Sequence, residues 1–364
     1  MSEKYRIAFI VNGLPGSAMD IRARSFAERL RGSFDIHIAH RTGGKITAMF
    51  RFFVALLKFA PRCVYVFDIG FSGTIAALCY QRITHARFVV DTGDPIYELG
   101  RGLGRVALGL TATRLLEESA LEAADFIIVR GTRHKNWLKA RGFERVEVIQ
   151  DGVDTVQFAP ENADDVRRDL KLESTLVVGL IGSSMWSERY QMCYGWDLVE
   201  ALGRIKDAPI KGFMIGGGDG IGRLKARCAE LGIADKMVFL GFVPYEKLPY
   251  YIGAMDVCLS TQSNDLVGQF RTTGKLPLYL SCGKYVLASR VGEAELVLEP
   301  EMTIQYEGVK DESYPAKLAA KLLDLSVHPE DITKGAAGVG IARRVFDYDV
   351  LCARLKNVLI SVLS

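Results

Sequence analysis

The sequence has little net charge, few histidines and no closely spaced cysteines, and each shortage removes a class of function. Its 364 residues carry a formal net charge of +3, which is too small to indicate nucleic-acid binding. The seven cysteines form no CxxC pair, and the five histidines have no metal-ligand spacing. We therefore expect no metal site, and we expect the cysteines to be reduced and mostly buried.

Long apolar runs are also missing. No window is both long enough and free enough of charge to predict a membrane-spanning helix. Residues 1–4 run directly into a predicted strand, so we expect no signal peptide. No GxSxG motif marks a nucleophilic serine. Together these absences predict a cytoplasmic protein.

The sequence does contain a regular alternation of apolar strands and amphipathic helices. In the first half, predicted strands cover residues 6–11, 34–39, 63–67, 88–91, 126–129 and 146–149, and helices cover 18–31, 47–59, 72–81, 103–123 and 133–141. In the second half, strands cover 176–181, 211–215, 237–240, 257–260 and 285–288, and helices cover 196–205, 221–231, 245–252, 274–281 and 315–325. Such alternation predicts an α/β fold with parallel sheets covered by helices.

A turn-rich stretch at residues 150–160 interrupts this alternation and ends in proline. We place a domain boundary there, which predicts one Rossmann-like domain at residues 1–160 and a second at 161–345. A last amphipathic helix at 348–363 falls in the closing segment 346–364.

Two glycine-rich turns follow predicted strands, and neither has the spacing of a dinucleotide-binding fingerprint. The turn after residue 215 contains Gly217 and Gly218, whose bare backbone could admit a ligand or could simply permit a tight turn. The turn after residue 11 contains Gly13 and Gly16, which could line a cleft between the domains or form a plain strand-to-helix turn.

The strongest local candidate is residues 269–276, which follow a strand by a short loop and open a helix. Thr272 or Thr273 can cap that helix, and Arg271 and Lys275 add two cations at the same end. Free N–H groups, the helix dipole and these cations suit a phosphate or pyrophosphate. The alternative is a capped surface helix with solvated basic residues, and the glycine-rich turn in the same predicted sheet favours the phosphate.

Two further strand ends carry polar side chains. Ser183, Ser184 and Arg189 follow the strand at 176–181 and suit a phosphate, but Arg189 could instead pair with Glu188 or face solvent. Asp94 follows the strand at 88–91, where a carboxylate could orient sugar hydroxyls or act as a base. An Asx-type turn before proline is the alternative there.

An apolar and aromatic segment at residues 45–59 places Arg51 and Lys58 on one helical stripe. Such a helix could lie on an anionic membrane surface, which would put the protein peripherally at the inner membrane face. A helix buried against the sheet with one solvated stripe is the more common arrangement, and we prefer it.

Several motifs taken together resemble the GT-B glycosyltransferases of the large retaining class that use nucleotide-diphosphate sugars. Residues 150–160 resemble that class's NGVD…FxP junction, and residues 216–243 resemble its glycine-rich block ending in FLGxV. Residues 275–289 resemble its KLxEYxAxGKPVVAS block. The resemblance spans nearly the whole chain. It implies two Rossmann-like domains whose parallel sheets face each other across a cleft, with the closing helix returning to the first domain.

The resemblance also implies a reaction and its site. It implies metal-independent transfer of a sugar, with retention of configuration and without a cofactor, from a nucleotide-diphosphate donor to a glycan, lipid-linked or small-molecule acceptor. Arg189, Lys275 and Asp94 would be the catalytic residues, and Gly13 and Gly16 would lie on the acceptor side. The donor would contact Ser183, Ser184, Gly217, Gly218, Phe242, Val243, Arg271, Thr272 and Thr273.

Three positions depart from that class. Phe270 and Leu278 stand where paired glutamates are expected, and neither side chain can hydrogen-bond a sugar hydroxyl. Tyr194 stands before Gly195 where a lysine is expected. These departures leave Arg189 and Lys275 as the clearest donor residues. They keep two alternatives open: a non-catalytic GT-B subunit that binds a nucleotide sugar or a protein, and a sugar-nucleotide epimerase.

Overall fold

The computed structural model describes residues 4–102 and 104–364. Contacts between residues divide the chain into two compact units. Unit 1 comprises Met1–Gly152, Gln269–Thr272 and Tyr348–Ser364, and unit 2 comprises Val153–Gly268 and Thr273–Asp347. Residues 1–3 and Leu103 lie outside the described residues. The expected absence of a signal peptide concerned residues 1–4, and the expected start of a helix fell on Leu103.

The first half of the chain alternates strands and helices. Its strands are β1 (Arg6–Val11), β2 (Asp35–His40), β3 (Cys63–Phe67), β4 (Arg87–Thr92), β5 (Phe126–Val129) and β6 (Val146–Val148). Its helices are α1 (Ala18–Leu30), α2 (Lys45–Phe59), α3 (Phe71–Thr84), α4 (Ile96–Gly102), α5 (Ala107–Ala123) and α6 (Thr132–Ala140).

The second half continues the alternation. Its strands are β7 (Leu176–Ile181), β8 (Ile210–Ile215), β9 (Met237–Gly241), β10 (Val257–Ser260), β11 (Tyr285–Ser289) and β12 (Thr303–Ile304). Its helices are α7 (Asp164–Asp169), α8 (Trp196–Arg204), α9 (Ile221–Glu230), α10 (Leu248–Gly253), α11 (Leu266–Phe270), α12 (Lys275–Ser281), α13 (Gly292–Val297), α14 (Tyr314–Val327), α15 (Gly338–Ile341) and α16 (Tyr348–Leu363).

Unit 1 is built on a six-stranded parallel sheet with the order β2-β1-β3-β4-β5-β6. Alternate residues of a strand point to opposite faces. In β1, Ile7 and Phe9 join one apolar cluster, and Ala8 and Ile10 join another. Burial on both faces explains why these strands are continuous apolar runs.

The closing helix α16 belongs to unit 1 and completes one of its two cores. Leu351, Leu355 and Leu359 are fully buried in the cluster that covers one face of the sheet. Tyr348, the first residue of α16, packs edge-on against Phe26 of α1, with ring centroids 5.6 Å apart. A helix at the end of the sequence therefore stabilises the sheet formed at its beginning.

Unit 2 has a second six-stranded parallel sheet with the order β12-β11-β10-β7-β8-β9. Its apolar residues form one continuous core cluster. The predicted pair of Rossmann-like parallel sheets is confirmed. In each sheet the strand order reverses once beside the first strand, between β1 and β3 in unit 1 and between β7 and β10 in unit 2. Such reversals are where open parallel sheets bind ligands.

Two of the predicted helices differ most from the observed ones. The helix expected at residues 103–123 begins at Ala107, because Gly104 has a left-handed φ of +70° that a right-handed helix does not allow. The helix expected at 245–252 is a short 3₁₀ turn followed by α10. None of the helices in the described part of the chain is long and apolar enough to cross a bilayer.

Helix α2 exposes more apolar surface than expected. Only Ala48, Phe52 and Leu56 are buried, at the spacing of one narrow helical stripe. Ile46 is 65% exposed and Phe50 is 61% exposed. The solvated face is therefore apolar as well as basic, and it is wider than the single basic stripe that we preferred.

Candidate functional site

The carboxyl ends of β7 and β10 form the candidate site of unit 2, because the sheet order reverses between these two strands. Lys275, the first residue of α12, lies at this edge, where a Cβ built on Gly182 would lie 3.5 Å from its Nζ. Ser260, the last residue of β10, approaches Thr273, with their hydroxyl oxygens 3.1 Å apart. The site thus combines a cation, hydroxyls and the open end of a helix.

The ring of Tyr194 holds the ammonium group of Lys275. Nζ lies 3.6 Å from the ring centroid, a distance at which an aromatic face attracts a cation. The Tyr194 hydroxyl donates to the carbonyl oxygen of Leu259 at 3.0 Å, and burial raises the pKa of Tyr194. The tyrosine that replaces an expected lysine therefore positions another lysine at the site. No sequence pattern signalled this pair.

The glycine-rich turn after β8 packs closely on the turn after β7. Gly216 and Gly218 have φ angles of +128° and +141°, which glycine tolerates best. A Cβ on Gly216 would overlap the carbonyl oxygen of Gly182, and one on Gly218 would overlap that of Ser184. These two glycines are required by the close approach of the turns, whereas Gly217 is exposed and has no neighbour near its Cβ position.

The two predicted serines have different surroundings. Ser184 is buried; its hydroxyl donates to the carbonyl oxygen of Tyr194 at 2.6 Å, and its N–H donates to that of Gly217 at 2.8 Å. Its side chain therefore connects parts of the fold. Ser183 is exposed and, with Gly217, presents open backbone at the strand ends.

Two of the remaining donor-side predictions lie at exposed positions, and the third is buried. Arg189 is exposed in the turn between Ser187 and Met192, with its guanidinium carbon 5.3 Å from the ring centroid of Tyr190. Phe242, just after β9, is 85% exposed, and Val243 is buried. The donor roles assigned to these residues stay predictions.

Arg271 pairs with Asp94 in unit 1. Its guanidinium donates to both carboxylate oxygens of Asp94, with Nη2 2.8 Å from Oδ2. This bidentate geometry is the strongest form of such a pair. From the sequence, Arg271 was grouped with Lys275 at one helix end, and Asp94 was predicted to be a catalytic residue. The structure instead joins Arg271 to Asp94, because Gln269–Thr272 belongs to unit 1.

The predicted threonine cap of α12 is wrong. The N-cap residue is Gly274, which makes no side-chain hydrogen bond. The Thr272 hydroxyl donates instead to the carbonyl oxygen of Arg130, and the Thr273 hydroxyl meets Ser260. Both hydroxyls have tertiary partners, and sequence spacing could not reveal these.

Phe270 explains one departure from the related class. It is buried in unit 1, where its ring stacks on His134 with centroids 4.7 Å apart and planes 8° apart. Trp137 packs beside it at 5.3 Å. The phenylalanine at an expected glutamate position is therefore a packing residue.

His134 is expected to make unit 1 sensitive to acid. Its ring is buried, and in the described part of the chain its Nδ1 has no hydrogen-bond partner. Burial lowers the pKa of His134 to about 4. A histidine that is kept neutral by folding contributes stability above its ordinary pKa, and that contribution is lost as the pH falls toward the folded-state value.

We therefore expect His134→Phe, which keeps a ring on Phe270, to flatten the loss of stability between about pH 6.5 and pH 4. The parent should lose up to ~3 kcal/mol from this group over that range. Urea unfolding of both proteins at the two pH values measures the difference. His85→Asn is the control, because His85 is exposed and its left-handed backbone tolerates asparagine. Equal acid sensitivity of parent and His134→Phe would count against this assignment.

The strand-order reversal of unit 1 contains a pocket of about 530 Å³. Asn12, just after β1, lines this pocket. The Nδ2 atom of Asn12 donates to the carbonyl oxygen of Asp68 at 2.7 Å, and the Oδ1 atom of Asn12 accepts from the N–H of Gly73 at 2.9 Å. Three basic side chains line the pocket: Arg41, Lys45 and Arg105. Sequence reasoning missed all three, because they come from separate loops and a helix start.

Gly13 and Gly16 shape the loop before α1. Gly13 is buried, and a Cβ on it would crowd Ser17, the N-cap residue of α1. Gly16 is exposed with a φ of +82°, and its N–H donates to Asp20 at 2.7 Å. Both glycines therefore serve a strand-to-helix turn, which was the alternative interpretation, and their acceptor role stays a prediction.

A buried ionic cluster lies beneath the strand ends of unit 1. Asp91 is fully buried, and its Oδ2 accepts from Arg22 at 2.8 Å and from the Tyr65 hydroxyl at 2.7 Å. Arg130 lies 3.4 Å from Asp91 and 2.9 Å from Asp68. Although burial alone lowers the pKa of Arg22, the Asp91 carboxylate raises it overall, so Arg22 stays charged.

Comparison with known proteins supports the interpretation of unit 2 in particular. Residues 176–327 match the family described as Glycosyl transferases group 1. The chain is similar to the 2-deoxystreptamine glucosyltransferase of Streptomyces kanamyceticus, with 28% identity over 130 residues, covering 34% of this chain and 32% of that protein. The matched part is therefore about a third of the length of this curated relative.

Solved structures match over almost the whole chain at lower identity. HepE of Anabaena, solved in complex with UDP, has a TM-score of 0.73 and 16% identity, covering 98% of this chain and 100% of that one. Sucrose-phosphate synthase of Thermosynechococcus elongatus has a TM-score of 0.77 and 16% identity, covering 99% of each chain. The resemblance to GT-B glycosyltransferases is thus confirmed: the chain has the GT-B fold, and its residues 176–327 match the family described as Glycosyl transferases group 1.

Proposed function

We propose that the protein is a glycosyltransferase that moves a sugar from a nucleotide-diphosphate donor bound by unit 2. The observation that carries this proposal is the position of Lys275 over Tyr194 at the β7–β10 strand ends. There a cation, the start of α12 and the open backbone of Ser183 and Gly217 converge at the edge where parallel sheets bind ligands. That combination suits a diphosphate.

The chemistry follows from where charge grows. As the bond between the sugar and the diphosphate breaks, negative charge builds up on the departing phosphate oxygens. A preorganised ammonium group stabilises that charge more in the transition state than in the ground state. We assign this role to Lys275. Retention of configuration and metal independence are inferred from the resemblance to the retaining class.

The donor is inferred to be a uridine-diphosphate sugar. Three of the structurally similar proteins were solved with UDP: HepE of Anabaena at a TM-score of 0.73, MnaA of S. aureus at 0.65 and TarM of S. aureus at 0.61. The curated relative is a glucosyltransferase, which makes UDP-glucose the first donor to test.

A screen of nucleotide sugars tests the proposal. Thermal shift and calorimetry with UDP-, GDP- and ADP-sugars should show stabilisation by at least one donor. Release of the nucleoside diphosphate, measured with and without acceptors, then reports turnover. Absence of both binding and turnover across this panel would contradict the proposal.

A non-catalytic GT-B subunit is the second candidate function. Phe270 is only 3% exposed and Leu278 only 6% exposed, so these replacements for the paired glutamates are both in the protein interior. Neither can contact a sugar hydroxyl. In the same screen, donor binding without turnover on any acceptor would favour this candidate.

We also infer that unit 1 contacts an anionic membrane surface through α2. Ile46, Phe50 and Val54 are exposed together with Arg51 and Lys58 on one side of this helix. A helix that presents apolar and basic residues together suits the headgroup region of a bilayer.

Vesicle sedimentation tests this contact. The parent should sediment with vesicles containing phosphatidylglycerol, and Arg51→Glu with Lys58→Glu should reduce the bound fraction at least ~10-fold, since each basic residue near an anionic surface contributes about 1 kcal/mol. Arg82→Glu, on the exposed last turn of α3, is the control. A parent protein that stays in the supernatant would end the proposal.

A further inference from the structure

We propose that the pocket at the β1–β3 reversal of unit 1 binds an acceptor through a phosphate-type anionic group, which Arg41, Lys45 and Arg105 recognise. The proposal rests on the transferase function inferred above, because it names the substrate class that this function would use. The proposed acceptor is negatively charged, and Arg41, Lys45 and Arg105 select for that negative charge.

These three cations have no carboxylate partners in the described part of the chain. Within residues 4–102 and 104–364, none of the three makes an ion pair, and none of the residues lining the pocket is an aspartate or glutamate. Other cations near this sheet edge are neutralised: Arg22 lies 2.8 Å from Asp91, and Arg130 lies 2.9 Å from Asp68. Three like charges gathered around a concave site raise the local potential and attract an anion.

The pocket has a shape and a position that suit a small ligand. It lies at the strand-order reversal, and its volume of about 530 Å³ is in the range of pockets that enclose small ligands. Arg41 follows β2, Lys45 begins α2, and Arg105 lies in the loop before α5. The three side chains therefore approach the pocket from different elements.

Two helices begin at this pocket. Lys45 is the first residue of the 15-residue α2, and Phe71 is the first residue of the 14-residue α3. Their N-cap residues, Gly44 and Gly70, provide no side-chain cap. The N–H groups of Gly70 and Gly73 already donate to Thr74 and Asn12, so it is the positive ends of the two helix dipoles that reinforce the three cations.

The remainder of the pocket suits a partly polar ligand. Asn12 and Ser72 line it beside apolar residues such as Ile96 and Leu116. Side chains of this kind accommodate a sugar or an alkyl segment attached to the anion. A phosphate on a soluble sugar and a phosphate in a lipid headgroup offer the same chemistry here.

The test compares charged and neutral probes on the full-length protein. Glucose 6-phosphate and glucose form the soluble pair. Vesicles of phosphatidylcholine with and without phosphatidic acid form the lipid pair. The variants are Arg41→Gln, Lys45→Gln and Arg105→Gln, with Arg82→Gln as the matched control, because Arg82 is exposed at the opposite end of α3.

We expect the phosphorylated member of at least one pair to bind at least tenfold more tightly than its neutral counterpart. Each pocket variant should weaken that binding about tenfold, since hydrogen bonds to charged groups are the stronger class. The control should bind as the parent does. An effect on glucose 6-phosphate alone identifies a soluble acceptor, and an effect on vesicles alone identifies a lipid acceptor; both outcomes support the pocket.

Equal binding of charged and neutral probes in both pairs would overturn the inference, as would pocket variants that bind like Arg82→Gln. UDP binding, measured in the same samples, separates this failure from failure of the proposed function. If UDP still binds while the pocket variants have no effect, the pocket assignment alone is wrong. If phosphate probes bind as expected while no nucleotide binds, the transferase proposal is wrong and the anion pocket stands.

Discussion

Replacing Lys275 with alanine should lower kcat by about 10²–10³-fold, the usual cost of removing one group that stabilises charge in a transition state. Lys275 is the cation at the β7–β10 strand ends, where its Nζ lies 3.6 Å from the Tyr194 ring centroid. Its loss should also weaken binding of UDP more than binding of uridine, because the ammonium group acts on the phosphates alone. Calorimetry with both ligands, together with steady-state kinetics, measures these effects.

Matched variants separate the charge from the fold around it. Lys247→Ala removes an exposed lysine of the same unit and should leave both ligands unaffected. Tyr194→Phe keeps the aromatic face under Lys275 and should retain most activity, whereas Tyr194→Leu removes that face and should behave more like Lys275→Ala. Equal weakening of uridine and UDP in Lys275→Ala would assign Lys275 a structural role instead.

Replacing Arg22 with methionine should cost about 3–5 kcal/mol in the free energy of unfolding of unit 1, which is typical of removing one partner of a buried ion pair. Arg22 is 2% exposed, and Asp91, its partner, is fully buried. In the variant, the Asp91 carboxylate keeps only the Tyr65 hydroxyl, at 2.7 Å, and Arg130, at 3.4 Å, as partners. It also removes the donors to the carbonyl oxygens of Ile149 and Gln150, at 2.7 and 2.5 Å.

Hydrogen exchange of the amides in β1, β3 and β4 measures this loss within unit 1 and avoids assuming that both units unfold together. Arg24→Met is the control. Arg24 also pairs with an aspartate on α1, but its side chain is 54% exposed, so we expect less than ~1 kcal/mol. A similar, small effect of both variants would show that the buried cluster does not hold the unit together.

The repeating pattern of the sequence predicted the fold well. Parallel strands buried on both faces are apolar throughout, which makes them easy to recognise. In unit 1, all six predicted strands match the observed strands to within one residue at each end. The exceptions have local causes, such as the left-handed Gly104 that delays the start of α5. β12 escaped prediction because a two-residue strand carries no periodic signal.

The site was harder to predict, because side-chain partners come from distant parts of the chain. Lys275 was placed correctly at the start of a helix, yet the ring that holds it, Tyr194, lies far away in sequence. Arg271 was grouped with Lys275 by proximity in sequence, but its partner is Asp94. The cations of the unit 1 pocket come from three separate segments, so no single motif could reveal them.

The way α16 completes unit 1 has a consequence for synthesis on the ribosome. One core of that unit includes Leu351, Leu355 and Leu359, so its sheet keeps an uncovered apolar face until these residues have been translated. Unit 2, whose last residue is Asp347, can close its core earlier. Folding is therefore expected to finish first in the later-encoded unit, which reverses the usual N-to-C order of cotranslational folding. A nascent chain halted before α16 should be a preferred substrate for chaperones.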